Sequence, residues 1–111
     1  MLNGNIGTAR SLNKVIIRLT FERWFHISEN HLELTGAAFE ALETVNNPDI
    51  IVGGYAGEML AVKKINKKYL VSIYKETTKK DGFVITAFYT TDIKSLLKNR
   101  KTIWQKSVKK K

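Results

Sequence analysis

The apolar residues of this chain change their period at Pro48, and that change limits the folds open to it more than any other feature. Before Pro48, Phe21, Trp24, Phe25 and Ser28 fall at i, i+3, i+4 and i+7, and Ile27 widens the stripe, which is the pattern of an amphipathic helix. Thr20 is placed to cap it and Glu22 sits near its positive end. A second helix fits residues 35–45, with Ala38, Phe39, Leu42 and Val45 on one face. Asn46-Asn47-Pro48-Asp49 stops it, because the residue before a proline resists helical angles. Ahead of both helices, residues 15–20 (VIIRLT) are β-branched and short, as in a strand.

After Pro48 the pattern is that of strands. Residues 49–52 form a short one, and residues 58–65 and 69–75 form a hairpin through Asn66-Lys67-Lys68. Lys79-Lys80-Asp81-Gly82 carries a turn signal, and residues 83–90 read as the most buried strand. Residues 92–105 read as a basic helix, or as a short helix and a final extended piece. The expected fold is α+β, with two N-terminal helices packed on an antiparallel sheet of four or five strands and a basic C-terminal helix or tail. Residues 15–105 make one domain, with 1–14 as a loose leader and 106–111 as a basic tail.

Charge is sorted along the chain. Nineteen Lys and Arg oppose ten Asp and Glu, for a formal net charge of +9. From Thr20 to Glu58 the acids dominate, with Arg23 as the lone base. From Met59 to Lys80 lysines dominate, and from Lys94 onward every charged residue is basic. Such sorting suits a face built for a polyanion, and nucleic acid leads because clustered Lys and Arg supply its non-specific binding energy. The chain has no cysteine, which excludes disulfides, thiolate metal sites and cysteine nucleophiles. No apolar run reaches the length of a bilayer span, and residues 1–14 lack the apolar core of a signal peptide. The expectation is a cytoplasmic protein that makes no use of a membrane.

His26 and His31 are the natural acid–base candidates. Five residues apart on a helix is about 500° of rotation, so they do not share a face. Either also fits a structural role as a helix-end cap. Two histidines without HxxxH spacing do not define a zinc site, so no metal is expected. Lys63 and Lys64 point to opposite sides of their strand, and Lys67 and Lys68 serve to keep the hairpin soluble. Lys75 lies at a strand end beside the strand 83–90, where Thr86 and Tyr89 offer hydroxyls. Tyr69, Tyr74, Tyr89 and Trp104 are aromatics that either stack on bases or fill the core. Lys63, Lys64, Lys98, Arg100 and Lys101 are the candidate nucleic-acid contacts. Gly53-Gly54 and Gly57 form no phosphate loop, since no GKS/T follows.

Four segments occur in order: RLTFERWFHI at 18–27, NHLE at 30–33, NPD at 47–49 and FVITAFYT at 83–90, with Ile103-Trp104 beyond. Together they resemble the phage-associated branch of the barnase–EndoU–colicin–RelE-like nuclease superfamily, over roughly residues 15–105. The chain departs from that pattern at Leu32, where the family usually has Pro, and at Phe88, where it usually has Tyr. The resemblance implies metal-independent RNA cleavage on an antiparallel sheet without a cofactor, as a toxin or mobile-element effector. It implies RNA as the partner, and an acidic antitoxin or immunity protein as a second one. The catalytic set it suggests is His26 or His31 as acid or base, Lys75 as the phosphorane stabiliser, and Thr86 and Tyr89 as phosphate donors. Two other readings stand beside it: a non-catalytic nucleic-acid-binding domain, and an interaction module whose basic tail docks an acidic protein.

Overall fold

The structure, a computed structural model, describes residues 4–107. Its strands are β1 (Asn5–Arg10), β2 (Ile16–Thr20), β3 (Ile50–Gly53), β4 (Met59–Ile65), β5 (Lys68–Glu76), β6 (Asp81–Thr90) and β7 (Thr102–Gln105). Its helices are α1 (Phe21–Asn30), α2 (Ala38–Asn46) and α3 (Ile93–Leu97), with a 3-10 turn at Leu32–Leu34. The strands form one sheet in the order β1-β2-β6-β5-β4-β3-β7.

This corrects the expected sheet in three ways. It has seven strands rather than four or five, and it is mixed, since β2 runs parallel to β6. Residues read as a loose leader supply β1, which pairs antiparallel with β2 and buries Ala9. Asn, Gly and Thr gave β1 no apolar alternation, and its ladder with β2 supplies the backbone bonds that propensity does not. The basic C-terminal helix ends at Leu97. Asp92 caps it by accepting from the Ser95 amide at 3.1 Å, and Asn99 then adopts φ +63°, from which the chain turns into β7 against β3. The tail expected at 106–111 begins with the Lys106 amide bonded to the Asp49 carbonyl, and residues 108–111 lie outside the described residues.

Asp81-Gly82 is likewise not the turn. Thr77–Lys80 make it, with Thr78 Oγ1 accepting from the Lys80 and Asp81 amides at 3.0 Å. Gly82 lies inside β6, where an added Cβ would stand 2.3 Å from the Lys75 carbonyl oxygen and 2.8 Å from Ile17 Cδ1. Close approach of three strands, rather than a turn, requires glycine there.

Helices α1 and α2 cover one face of the sheet. Ile17, Leu19, Leu70, Tyr74, Val84 and Ala87 meet Ile27, Leu34, Ala41, Leu42 and Val45 in a continuous core. Ser72 of β5, buried on this face, donates to the Ala41 carbonyl at 2.8 Å, so its burial leaves no unpaired group. Burial pushes the Tyr74 hydroxyl well above its usual pKa. Three expected core aromatics lie elsewhere: Phe21 and Phe25 are exposed on α1, and Phe39 is 70 % exposed on α2, where Ala41 takes the inward position. Trp24 packs half-buried against the core.

The other face is closed only in part. Val52, Leu60, Val62 and Val71 form a second, smaller core that Ile93, Leu96 and Leu97 of α3 cover. Over β2, β6 and the end of β5, that face is open.

Candidate nucleic-acid interface

Register on the open face sets three side chains in line. Phe83 of β6 is paired with Lys75 of β5 on one side and with Arg18 of β2 on the other. Cross-strand partners share a face, so a cation, an aromatic ring and a second cation run across three strands about 4.8 Å apart. Phe83 is half-buried and belongs to neither core. Arg18 is fixed by a forked pair to Asp81, Nε to Oδ1 at 2.8 Å and Nη2 to Oδ2 at 2.9 Å. These hydrogen bonds, together with the arginine's charge, hold the Asp81 carboxyl below the usual carboxylate range, and they raise the Arg18 guanidinium.

At the Arg18 end the row meets a cleft. Strand β2 stays beside β6 only through Arg18, then Thr20 turns the chain into α1. Thr20 Oγ1 caps the helix by accepting from the Arg23 amide at 3.0 Å. In the gap that opens, two adjoining concavities share Thr20 and Arg23. One is also lined by Glu22 and His26, and the other by Arg18, Phe83 and Val84. Arg23 and His26 are three apart on α1 and so share a helix side. His26 Nδ1 lies 3.5 Å from Glu29 Oε1, longer than a good hydrogen bond. The two concavities therefore set the His26 imidazole beside Arg23 and Glu22, and the Asp81-paired Arg18 guanidinium and Phe83 edge beside the same Arg23.

At the Lys75 end the row continues into the loop between β3 and β4. Glu58 holds that loop: its Oε1 accepts from the Ala56 amide at 2.9 Å, and its carbonyl accepts from the Gly54 amide at 2.8 Å. An added Cβ on Gly54 would stand 2.2 Å from the Glu58 carboxyl carbon, so a side chain there would push the Glu58 carboxylate off the Ala56 amide. Backbone amides, its own first and that of Ala56 next, keep the Glu58 carboxyl below its ordinary pKa, with smaller help from Arg100 and Lys75. Arg100 in turn lies 4.4 Å from the ring centroid of Tyr55.

Of the residues singled out from the sequence, His26, His31, Lys75, Thr86 and Arg100 fall on or around this face, Lys64 lies at its far end opposite Tyr69, and the others do not. Thr86 pairs with Ile73, so it lies on the Lys75 side of β6. Tyr89 pairs with Leu70 and packs against the helix-covered core, with Lys68 Nζ 4.1 Å from its ring centroid. A bulge between Ile73 and Tyr74 changes the register there, yet Tyr89 still faces away from Lys75. His31 caps α1, with its ring centroid 6.3 Å from that of Phe88 and its Nδ1 3.6 Å from Glu33. Phe88 pairs with Val71 and so lies on the Thr86 side of β6, which sets His31 beside that face, but His31 lines neither of the two concavities at Arg23. Lys63 donates to the Asn47 carbonyl at 2.8 Å on the opposite side of β4 from Lys64. Lys98 and Lys101 are exposed on either side of Arg100.

Arg18, Arg23 and Phe83 drew no attention as site residues in sequence, although all three stand inside the segments that carry the family resemblance. Tyr55 and Glu58 had no signal, because their placement depends on the loop and on Arg100. Among the described residues, no three His, Asp or Glu side chains are grouped as a metal site would need. No described helix is long and apolar enough to cross a membrane. Compared with protein-family models, with curated proteins and with solved structures, the chain matches none.

Proposed function

We propose that this protein is a metal-independent endoribonuclease acting in the cytoplasm, and that the open face of the sheet holds its RNA. The observation that carries the reading is that two concavities at the end of the Arg18–Phe83–Lys75 row, one lined by His26 and the other by Arg18, share Arg23 and Thr20. His26 takes the proton from a ribose 2′-OH. The 2′-oxygen attacks the adjacent phosphorus, a 2′,3′-cyclic phosphate forms, and the bond to the 5′-oxygen breaks. Water in the open cleft protonates that leaving oxygen. Arg18 and Arg23 stabilise the charge that gathers on the phosphoryl oxygens, and Asp81 keeps the Arg18 fork aimed before substrate arrives. Lys75 holds a neighbouring phosphate, and Phe83 offers a surface on which a base stacks. An acidic inhibitory protein would dock on the same basic face.

The test is incubation of RNA with purified protein in EDTA. Cleavage is expected to persist in the chelator, and His26→Ala is expected to lower turnover by about 10²–10⁴-fold while leaving oligonucleotide binding nearly intact. Arg18→Ala should weaken both, since its charge meets phosphate in ground and transition states alike. Cleavage by His26→Ala at the parental rate would overturn the assignment. The second reading, a non-catalytic nucleic-acid-binding domain, is favoured by the lining of the two concavities, which holds His26 but not His31 and so no second imidazole to act as acid. It predicts salt-sensitive binding without turnover in the parent protein.

A further inference from the structure

Tyr55 is 73 % exposed, yet it is held in place. Arg100 stacks on one face of its ring, and Arg100 is itself anchored by Nε donating to the Leu96 carbonyl at 2.9 Å. The Tyr55 hydroxyl reaches the Asn99 carbonyl at 3.5 Å. Its loop is pinned by the Glu58 bonds described above, and Gly57 adopts φ +89° next to the Lys75 stem. Here several contacts fix the ring and none of them hides its second face. Lys75 lies between this loop and Phe83, which sits one strand further along the sheet.

We infer that Tyr55, backed by Arg100, is a second base-stacking platform, so that the site takes a single-stranded segment with bases on Phe83 and Tyr55 and phosphate on Lys75. This rests on the reading of the open face as a nucleic-acid interface, and it names the substrate class as single-stranded rather than duplex. The two platforms lie on separate elements with a cation between them, which suits unpaired bases that each turn a π-face to the protein. A duplex keeps its bases stacked on one another and offers those rings only its backbone. Stacking of this kind tolerates any base, so no sequence preference at Tyr55 follows.

Binding is measured with a labelled 2′-O-methyl RNA strand, which has no 2′-OH to react, and with the same strand in a duplex. Tyr55→Ala is expected to weaken single-strand binding about tenfold and to leave duplex binding unchanged, while Tyr55→Phe keeps parental affinity. A melting curve close to the parent's is expected, because the ring is exposed, and Tyr55→Leu, which keeps an apolar side chain without a π-face and is expected to bind single strand as weakly as Tyr55→Ala, replaces it if the alanine variant proves unstable. Parental affinity in Tyr55→Ala, or equal losses for strand and duplex, would overturn the platform. Arg18→Ala separates the two ideas. If it weakens binding and Tyr55→Ala does not, the second platform fails and the open face stands. If neither variant binds less tightly than the parent, or if the parent binds no single strand, both fail.

Discussion

The two faces of this sheet are built from the same strands and meet opposite fates. On β5, Leu70, Ser72 and Tyr74 are buried under α1 and α2, whereas Ile73 and Lys75, one residue out of phase, lie half-buried or exposed. On β6, Val84 and Ala87 are buried, while Phe83 and Thr86 are only half-buried. Both faces carry apolar side chains, so hydrophobicity alone does not decide which is covered. The helix-covered face closes because two amphipathic helices have their apolar sides to spend there. The other has only α3, five residues long, and that helix reaches Val52, Leu60, Val62 and Val71 but not Phe83. Charge is mixed across this division: Glu22 lines the concavity beside Arg23 and His26, and Asp81 pairs with Arg18, while Lys75 is exposed on the open face.

The comparison breaks most visibly by cutting one residue from each face. Leu70→Ala, in the covered core, is expected to cost about 2–5 kcal/mol of stability, read as a shift in denaturant midpoint. Phe83→Ala should cost only about 1 kcal/mol, roughly half the value of a fully buried side chain, while weakening single-strand binding about tenfold. If Phe83→Ala destabilises as much as Leu70→Ala, the open face is a core and the interface reading is lost.

A subtler separation uses acid. The folded pKa of Asp81 is depressed, chiefly by its hydrogen bonds to Arg18, so the pair adds stability above the unfolded carboxylate value of about 4 and loses it as pH falls through the lower folded value. Melting temperatures of the parent and of Asp81→Asn should therefore differ near neutrality and converge in acid. A gap that stays constant down to pH ~2 would show that the substitution acts through packing instead.

The smallest effects belong to the rim. Lys98→Ala and Lys101→Ala remove exposed charges and should leave the melting temperature unchanged. Each should lower the salt dependence of single-strand binding by about 0.7 in the logarithmic slope if it meets one phosphate. Unchanged slopes would confine the interface to the Arg18–Phe83–Lys75 row and the Tyr55 loop.

Local chemistry was enough to find several elements in the sequence. Thr20 is the cap of α1, Pro48 follows the end of α2, and the β4–β5 hairpin turns at Asn66-Lys67 between strands close to the expected ones. These signals depend on neighbours a few residues away, so a linear reading contains them. Charge sorting and the His26 candidate are of the same kind. What the sequence did not contain was pairing at a distance. Strand β1 has no apolar alternation and exists because β2 offers it a ladder. The parallel contact of β2 with β6 joins Arg18 to Asp81 across 63 residues, and with it places Phe83 between two cations. The bulge near Ile73 belongs to that same level, as does the orientation of Tyr89 toward the helices. By itself the sequence determined which short stretches are helical or extended and that basic residues gather in the second half. Only the tertiary structure decided which side of each strand stays open, because that depends on how many helices are available to cover it and on a register set by strands far apart in the chain.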